Sequence, residues 1–249
     1  MQQNTHPGPS TVTATALVKT FGGTRRMPLI PVLRGLDVSI PQGSMVAIVG
    51  PSGCGKSTLL FCLAGLDPVT SGSVHTLGED LSTLRPTQFA HLYRDRIGFV
   101  FQSYNLVTAL TARENVVLPQ RLARRRPDLA KADAVLAELG LADRTHALVT
   151  QLSNGEQQRV ALARVLASNP PLVFADEPTG ALDSNSSRLV LDRLRARADG
   201  TNTVVMVTHD LDAASLADIV LVMRDGTFTR SLTHPTSAQI LAAMEEASA

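Results

Sequence analysis

Short apolar runs alternate with longer segments of mixed polarity along this chain. Runs of four or five mostly β-branched apolar residues are typical of parallel strands that are buried on both faces. A longer segment in which apolar and polar residues alternate predicts a half-buried strand. A first predicted strand ends with residues 16–18. The other predicted strands span residues 32–40, 45–49, 74–77, 97–101, 172–175, 203–207 and 219–223.

The segments between these strands predict helices and turns. Residues 108 to about 170 are mostly helical in character, whereas residues 19–23 and 71–73 carry the small and glycine residues of turns. Strands that alternate with helices in this way predict an α/β fold around a mainly parallel sheet. The predicted helices begin after residues 58 and 183, and span residues 86–96, 130–139 and about 153–168.

Residues 50–58 match the phosphate-loop pattern G-x-x-x-x-G-K-[ST] at every position, between a predicted strand and a predicted helix. Its glycines let the backbone turn several N–H groups towards one point, and the helix start adds further free N–H groups. We expect Lys56 to reach the β- and γ-phosphates of a nucleotide, and the Ser57 hydroxyl to bind Mg²⁺. The predicted nucleotide-binding residues are Gly50, Pro51, Ser52, Gly53, Cys54, Gly55, Lys56, Ser57 and Thr58.

Four polar side chains directly follow predicted strands, at the sheet edge where α/β folds bind ligands. Asp176 suits Mg²⁺, and Glu177 suits a general base for a water that attacks the γ-phosphate. Gln102 suits a contact with Mg²⁺ or water, and His209 a γ-phosphate contact; their ordinary alternatives are a solvent-facing glutamine and a structural histidine. The predicted catalytic residues are Glu177, His209, Gln102 and Lys56, and the predicted metal ligands are Ser57, Gln102 and Asp176.

Two further candidates have equally ordinary alternatives. Phe21 lies in the turn predicted after the first strand. Its ring either stacks on a nucleotide base or is an ordinary aromatic residue of a turn. Ser153 and Gly155 open a predicted helix, where a hydroxyl and backbone N–H groups form a potential anion site. The alternative there is an ordinary capped helix.

Composition narrows the function classes. A net charge of +1 over 249 residues is not the basic balance of a nucleic-acid-binding protein, so we expect no nucleic-acid partner. Cys54 and Cys62 do not form a disulfide framework, which favours a reducing cytosol. No apolar run approaches the roughly 18 residues of a membrane span, so a membrane role would need another chain to cross. Residues 1–12 are expected to form a flexible tail.

Together, these motifs resemble the ATP-binding subunit of an ABC transporter over residues 17 to about 228. The resemblance implies a P-loop NTPase fold in one domain, residues 1–249, with an antiparallel β subdomain and a helical subdomain inserted at roughly residues 103–170. The combined motifs are far more specific than a phosphate loop alone. In the order of the family they are the phosphate loop, Gln102 of the Q-loop, the signature 152–157, the acid pair Asp176-Glu177, the D-loop 181–183 and the switch histidine His209.

The signature departs from the family pattern Leu-Ser-Gly-Gly-Gln, because Asn154 and Glu156 replace a glycine and the glutamine. Asparagine adopts positive φ more readily than most residues, so we expect the turn to survive. Ser153 and Gly155, which the resemblance assigns to phosphate, are retained. We therefore expect residues 153–156 to contact nucleotide with weakened rather than lost function.

The resemblance also implies how the site works. Two copies form a homodimer in which the phosphate loop of one faces the signature of the other, so that ATP and Mg²⁺ hold them together and hydrolysis releases them. Phe21 would stack on adenine, His209 would sense the γ-phosphate, and Asp183 would couple the two sites.

Residues 101–106 and 176–180 resemble the macrolide-exporter and lipoprotein-releasing type of this family. That type works with an integral-membrane permease that has a large extracytoplasmic domain, which implies a peripheral location at the cytoplasmic face of the cell membrane. One alternative is a cell-division-type ATPase that signals through a membrane partner without carrying cargo. Another is a soluble ABC protein of translation or DNA repair, a class that commonly has two ATPase units or a long coiled-coil insertion.

Overall fold

A six-stranded sheet crosses the part of the chain that the computed structural model describes, residues 9–23, 28–180 and 182–247. Five neighbouring strands are parallel, and the sixth returns antiparallel at one edge. In spatial order the strands are β6 (Ile97–Val100), β7 (Leu172–Asp176), β8 (Thr203–Val207), β3 (Met45–Val49), β9 (Ile219–Arg224) and β10 (Thr227–Thr233).

The three central strands β7, β8 and β3 are buried along their whole length. Along β3, Ala47 packs into one hydrophobic cluster whereas Val46 and Ile48 pack into the other, so both faces of the sheet are covered. In β7 the fully buried ring of Phe174 stacks on Phe99 of β6, with ring centroids 6.1 Å apart. Continuous apolar runs form these strands because neither face meets water.

A second, antiparallel sheet packs against helix α1 (Lys56–Ala64), which lies between the two sheets. One buried cluster joins three of its strands to α1 and to one face of the large sheet. In spatial order its strands are β2 (Ile30–Pro41), β1 (Ser10–Phe21), β4 (Ser71–Thr76) and β5 (Glu79–Asp80).

The N-terminal prediction needs a correction. β1 begins at Ser10, so residues 10–12 belong to a strand and not to the tail expected over residues 1–12. They are ordered by backbone pairing with β2 and β4, which a local composition argument does not include. Residues 1–8 lie outside the described residues.

Two predicted turns are also strand. Residues 19–21 continue β1 because they pair with β2, and residues 71–73 begin β4 because they pair with β1. In both cases hydrogen bonds from a distant strand outweigh a local turn preference. Between β1 and β2, residues 24–27 lie outside the described part of the chain.

Helices cover the large sheet, and three of them lie between β6 and β7 in the chain. These three pack in one buried cluster with the sheet. The predicted fold class is therefore confirmed: a mainly parallel sheet, an antiparallel sheet and an inserted group of helices. Apart from α1, the helices are α2 (Pro86–Asp95), α3 (Ala112–Leu122), α4 (Leu129–Glu138), α5 (Asn154–Ser168), α6 (Ser184–Arg197), α7 (Leu211–Ser215) and α8 (Ser237–Glu246).

Helix α5 lies close against the sheet because β6 has a glycine where the two meet. A Cβ atom on Gly98 would lie 2.6 Å from Cγ1 of Val165 in α5, which is closer than real Cβ contacts. Within residues 9–23, 28–180 and 182–247, no helix has the length and apolar composition needed to span a membrane.

Asp218, just before β9, joins three parts of the fold. Its carboxylate accepts hydrogen bonds from the Met45 N–H at 2.8 Å and from both terminal nitrogens of Arg195 in α6, at 2.7 and 2.8 Å. Burial opposes the charged form of Asp218, but these hydrogen bonds and the Arg195 charge outweigh it and lower the pKa of Asp218. The bonds therefore stabilise the start of β3, and with it the strand that leads to the phosphate loop.

We predict that Asp218→Asn lowers the free energy of unfolding by about 1–2 kcal/mol at pH 7, because charge-assisted hydrogen bonds are lost. The folded-state pKa lies below the unfolded value, so this stabilisation is present above about pH 4 and is lost as the pH falls through the folded pKa. Urea unfolding at pH 7 and pH 3 measures both effects. Asp225→Asn, at a 78% exposed side chain, is the control and should stay within about 0.5 kcal/mol of the parent. An equal loss at both pH values for Asp218→Asn would contradict the prediction.

Candidate functional site

The phosphate loop, residues 50–58, joins the end of β3 to α1. Gly50 has φ +154°, and a Cβ atom there would lie 2.1 Å from the carbonyl oxygen of Met223, so only glycine fits. Gly55 stands at the N-cap of α1 with φ +105° and provides no side chain to the first N–H groups of the helix. These N–H groups and the positive end of the helix dipole form an anion site of the kind the motif predicts.

The rim of the loop is exposed and its base is buried. Pro51, Ser52 and Gly53 face solvent, whereas Cys54 is buried and forms no disulfide. Burial raises the pKa of the Cys54 thiol, so the group stays neutral at physiological pH. Thr58, in the first turn of α1, is partly exposed. The loop therefore presents its rim to any ligand that approaches from solvent.

Lys56 is almost fully buried, with its ammonium group inside the loop. Nζ donates hydrogen bonds to the carbonyl oxygens of Gly50 and Pro51, each at 2.9 Å. A phosphate would give this cation a charge-assisted partner, which is stronger than a neutral carbonyl. The position of Lys56 thus fits a phosphate contact.

Ser57, Asp176 and Gln102 line one cavity of about 350 Å³ beside the loop. The Ser57 hydroxyl donates a hydrogen bond to Oδ1 of Asp176 at 2.9 Å. Burial raises the pKa of Asp176, and a cation at this place would stabilise the carboxylate that burial disfavours. Hydroxyl, carboxylate and amide oxygens are the hard ligands that Mg²⁺ prefers, so these residues fit the ion.

Glu177 and His209 meet at the same sheet edge, because they follow the neighbouring parallel strands β7 and β8. Nδ1 of His209 lies 2.9 Å from Oε2 of Glu177. Glu177 has φ +49°, which is uncommon for a residue other than glycine, and its N–H donates to the carbonyl of Val207 at 2.9 Å. A carboxylate held beside an imidazole can accept a proton from a water molecule.

The signature begins helix α5. Ser153 is the N-cap: its hydroxyl oxygen accepts the Glu156 N–H at 3.2 Å, and its own N–H donates to Oε2 of Glu156 at 2.8 Å. The Ser153 hydroxyl proton takes no part in this capping box, so it is available to a phosphate oxygen.

Asn154 does not adopt the positive φ that the family pattern led us to expect, so that prediction is wrong. Asn154 and Gly155 are the first residues of α5, and neither has positive φ. The position accepts asparagine because the backbone there is an ordinary first helical turn, which requires no left-handed conformation.

Glu156 is the second departure from the family signature, and each of its carboxylate oxygens accepts a hydrogen bond. Besides the Ser153 N–H, it accepts a hydrogen bond from Nε of Arg144 at 3.0 Å. The Ser153 N–H has the largest effect and lowers the pKa of Glu156; burial opposes it, and the Arg144 guanidinium adds to the lowering. The side chain of Glu156 is 18% exposed and that of Arg144 is 55% exposed. The negative charge that replaces a neutral glutamine is thus balanced by a neighbouring cation.

Phe21 lies exposed at the end of β1, close to the phosphate loop. Phe21 ends β1, is 42% exposed and has the Lys19 ammonium 4.7 Å from its ring centroid. It pairs with Ile30, two residues before Val32, whose carbonyl borders Gly55 of the phosphate loop. An exposed ring at this place is accessible to a planar ligand.

Asp183 is the N-cap of α6 and accepts the N–H groups of Asn185 and Ser186, at 3.1 and 3.0 Å. These contacts lower the pKa of Asp183. Ala181, the first residue of the predicted D-loop, lies outside the described residues. The coupling role of Asp183 therefore stays a prediction, while its capping role is structural.

The predicted residues fall into two groups. Asp176 and Glu177 are consecutive, so the metal ligands and the Glu177–His209 pair form one continuous site at the carboxyl edge of the sheet. Residues 153–156 are not part of this group: in the described part of the chain, no hydrogen bond or ion pair joins them to the phosphate loop.

Sequence reasoning missed three polar residues of α5. Gln158, Arg159 and Arg164 donate hydrogen bonds to segments that follow β7 and β6. Gln158 is only 2% exposed. The available signal in the sequence was that Ala161 and Leu162, three and four residues later on the same helix face, are apolar. Periodicity alone does not find such residues, because it assigns polar positions to solvent.

Comparison with known proteins agrees with this geometry. A model of the ABC transporter family matches residues 33–180. The macrolide export ATP-binding/permease protein MacB of Escherichia coli (strain K12) is 45% identical over 204 residues, which are 81% of this chain and 32% of that protein. MacB of Nitrosomonas europaea is 45% identical over 210 residues, 84% of this chain and 32% of that protein. The chain spans about a third of the length of these curated relatives.

Solved structures agree as well. The dimeric structure of MJ0796, a bacterial ABC transporter cassette, has a TM-score of 0.84 and 35% identity, over 90% of this chain and 99% of that chain. A bacterial Atm1-family ABC exporter with ATP bound has a TM-score of 0.78 and 29% identity, over 98% of this chain and 44% of that chain. With a family model that covers more than half of its residues and a fold shared with solved cassettes, this chain belongs to the ABC transporter family.

Proposed function

We propose that this chain binds ATP with Mg²⁺, hydrolyses it as a homodimer and thereby drives an integral-membrane permease. The observation that carries the proposal is the separation of the site into two groups: among residues 9–23, 28–180 and 182–247, no hydrogen bond joins the helix that begins after Ser153 to the phosphate loop. A second copy would supply the missing group. The dimeric form of the MJ0796 cassette supports this arrangement.

Each residue has a stated role in the proposal. Lys56 and the N–H groups of residues 50–58 bind the phosphates, and Phe21 stacks on adenine. Ser57, Asp176 and Gln102 hold Mg²⁺, which neutralises phosphate charge when bound. Glu177 accepts the proton of the attacking water, and His209 orients Glu177 and contacts the γ-phosphate. Asp183 couples the two sites. The residues that contact the partner's nucleotide are Ser153, Asn154, Gly155 and Glu156.

The relatives support a membrane partner. Their names describe ATP-binding/permease proteins for macrolide export, and this chain matches about a third of their length. We infer that the partner is a permease with an extracytoplasmic domain, reached from the cytoplasmic face of the cell membrane. A cell-division-type ATPase that signals without cargo would use the same site, but the match to export proteins favours transport.

We predict that Glu177→Gln forms a stable dimer in saturating Mg-ATP and hydrolyses at least about 100-fold more slowly, because the base is lost while the phosphate contacts remain. Light scattering measures the dimer, and phosphate release measures hydrolysis.

Adding Lys56→Ala to the Glu177→Gln chain should abolish that dimer and weaken ATP binding at least about tenfold in calorimetry, since a charge-assisted contact is removed.

The outcomes separate the parts of this proposal. A Glu177→Gln chain that stays monomeric in Mg-ATP and hydrolyses normally would show that Glu177 is not the base. Unchanged ATP binding in Lys56→Ala would remove the phosphate role of Lys56.

The Arg144–Glu156 pair makes the altered signature compatible with this function. A carboxylate at the N-terminus of α5 would otherwise stand near the partner's triphosphate, where two negative charges repel. Arg144, which hydrogen-bonds the carboxylate, offsets that repulsion. A glutamine at residue 156 would carry no charge and would need no such balance.

We predict that Arg144→Gln raises the Mg-ATP concentration for half-maximal dimerisation of the Glu177→Gln chain about threefold, since an exposed charge pair is worth a modest amount. In a Glu156→Gln background the same change should have almost no effect. The control is Arg193→Gln, which removes an exposed pair with Glu138 on α4. An equal effect of Arg144→Gln in both backgrounds would contradict charge compensation.

A further inference from the structure

Helix α5 is bonded to three segments that carry site residues. Arg164 donates from its terminal nitrogens to the carbonyl oxygens of Asn105 at 2.7 Å and Tyr104 at 2.9 Å, which lie three and two residues after Gln102. Tyr104 and Asn105 both have positive φ, so this loop is held in an uncommon conformation. The Arg164 side chain is one of the contacts that stabilise it.

The second contact reaches the cap of α6. Nη1 of Arg159 donates to Oγ of Ser186 at 2.5 Å, and that hydroxyl donates to Oδ2 of Asp183 at 2.8 Å. The chain of bonds runs from α5 to the carboxylate that caps α6. Arg159 is thereby linked to the far end of the loop that begins at Glu177.

The third contact reaches the proposed base itself. Nε2 of Gln158 donates to the backbone carbonyl of Glu177 at 3.3 Å, and that carbonyl also accepts the Gly180 N–H at 3.2 Å. Because Glu177 has φ +49°, its peptide needs contacts on both sides to stay in place. The Val207 carbonyl holds the N–H, and Gln158 holds the carbonyl.

A purely structural role explains Gln158 poorly. The side chain is 2% exposed, yet its Oε1 has no hydrogen-bond partner among the described residues. A buried glutamine with one unpaired end costs stability, and an apolar residue of similar size would avoid that cost. The benefit of the glutamine therefore lies in the hydrogen bond that its amide N–H donates to the Glu177 carbonyl.

We propose that Gln158 is a positioning residue through which α5 places Glu177 of the same chain. This rests on the proposed function, in which the start of α5 docks on the partner's nucleotide. A helix of 15 residues moves as a rigid body, so docking at Ser153 is transmitted to Gln158 little more than one turn away. Engagement of the partner's ATP thus adjusts the base of the chain's own site, which couples the two sites within each copy.

The first test measures the loop without nucleotide. Gln158→Met keeps the volume but removes the donor, so exchange of the amide hydrogens of residues 177, 179 and 180 should be about fivefold faster or more, because the loop loses a hydrogen bond. Ser168→Ala, at the opposite end of α5, is the matched control and should leave that exchange unchanged. Unchanged exchange in Gln158→Met overturns the proposal.

The second test measures hydrolysis. Gln158→Met should lower kcat about tenfold, with KM for ATP changed by no more than about twofold, because the base is displaced while the phosphate contacts remain. In the Glu177→Gln background, the same change should leave Mg-ATP-dependent dimerisation within about twofold of the parent. A fall in kcat accompanied by an equal rise in KM overturns the proposal.

A conservative variant separates positioning from stability. In Gln158→Glu, a protonated carboxyl can donate to the Glu177 carbonyl, whereas an ionised one repels it. The kcat of this variant, relative to the parent at each pH, should therefore rise as the pH falls from 8 to 6, and a ratio independent of pH overturns the proposal. Failure of the proposed function would appear elsewhere, as a Glu177→Gln chain with native Gln158 that does not dimerise in Mg-ATP.

Discussion

The parallel register of neighbouring strands is the constraint on which the site depends. Because β3, β7 and β8 run in the same direction side by side, their carboxyl ends meet at one edge. The phosphate loop, the acid pair and His209 each follow one of these strands, and so they converge although more than a hundred residues separate the first from the second. Full burial on both faces fixes this register, since a slip would expose an apolar strand or bury a polar end.

Charge balance within the site follows from the same edge. The ammonium of Lys56 is held by loop carbonyls, the Asp176 carboxylate by the Ser57 hydroxyl, and Glu177 lies beside His209. Each charged group has a local partner that is weaker than a phosphate or a metal ion would be. The site is thus arranged in advance for ligands that replace these contacts, which reduces the cost of binding them.

Helix α5 connects this edge to the signature. Its N-terminus presents Ser153 through a capping box, and its body contacts the loops after β6 and β7. Gly98 permits that closeness by leaving room for Val165. The two departures from the family signature fit the helix for different reasons: Asn154 because its backbone is ordinary helix, and Glu156 because it completes the cap and is balanced by Arg144.

The local motifs of this protein were determined by its sequence alone. The phosphate loop, the buried strands and the acid pair follow from residue type and short-range spacing, since backbone geometry and burial on both faces demand them. Tertiary structure decided the rest: the full length of β1, the helical conformation of Asn154, and the partners of Arg144, Gln158 and Glu156. These depend on which distant backbone or side chain lies within hydrogen-bonding distance, and that is set only once strands pair and helices pack.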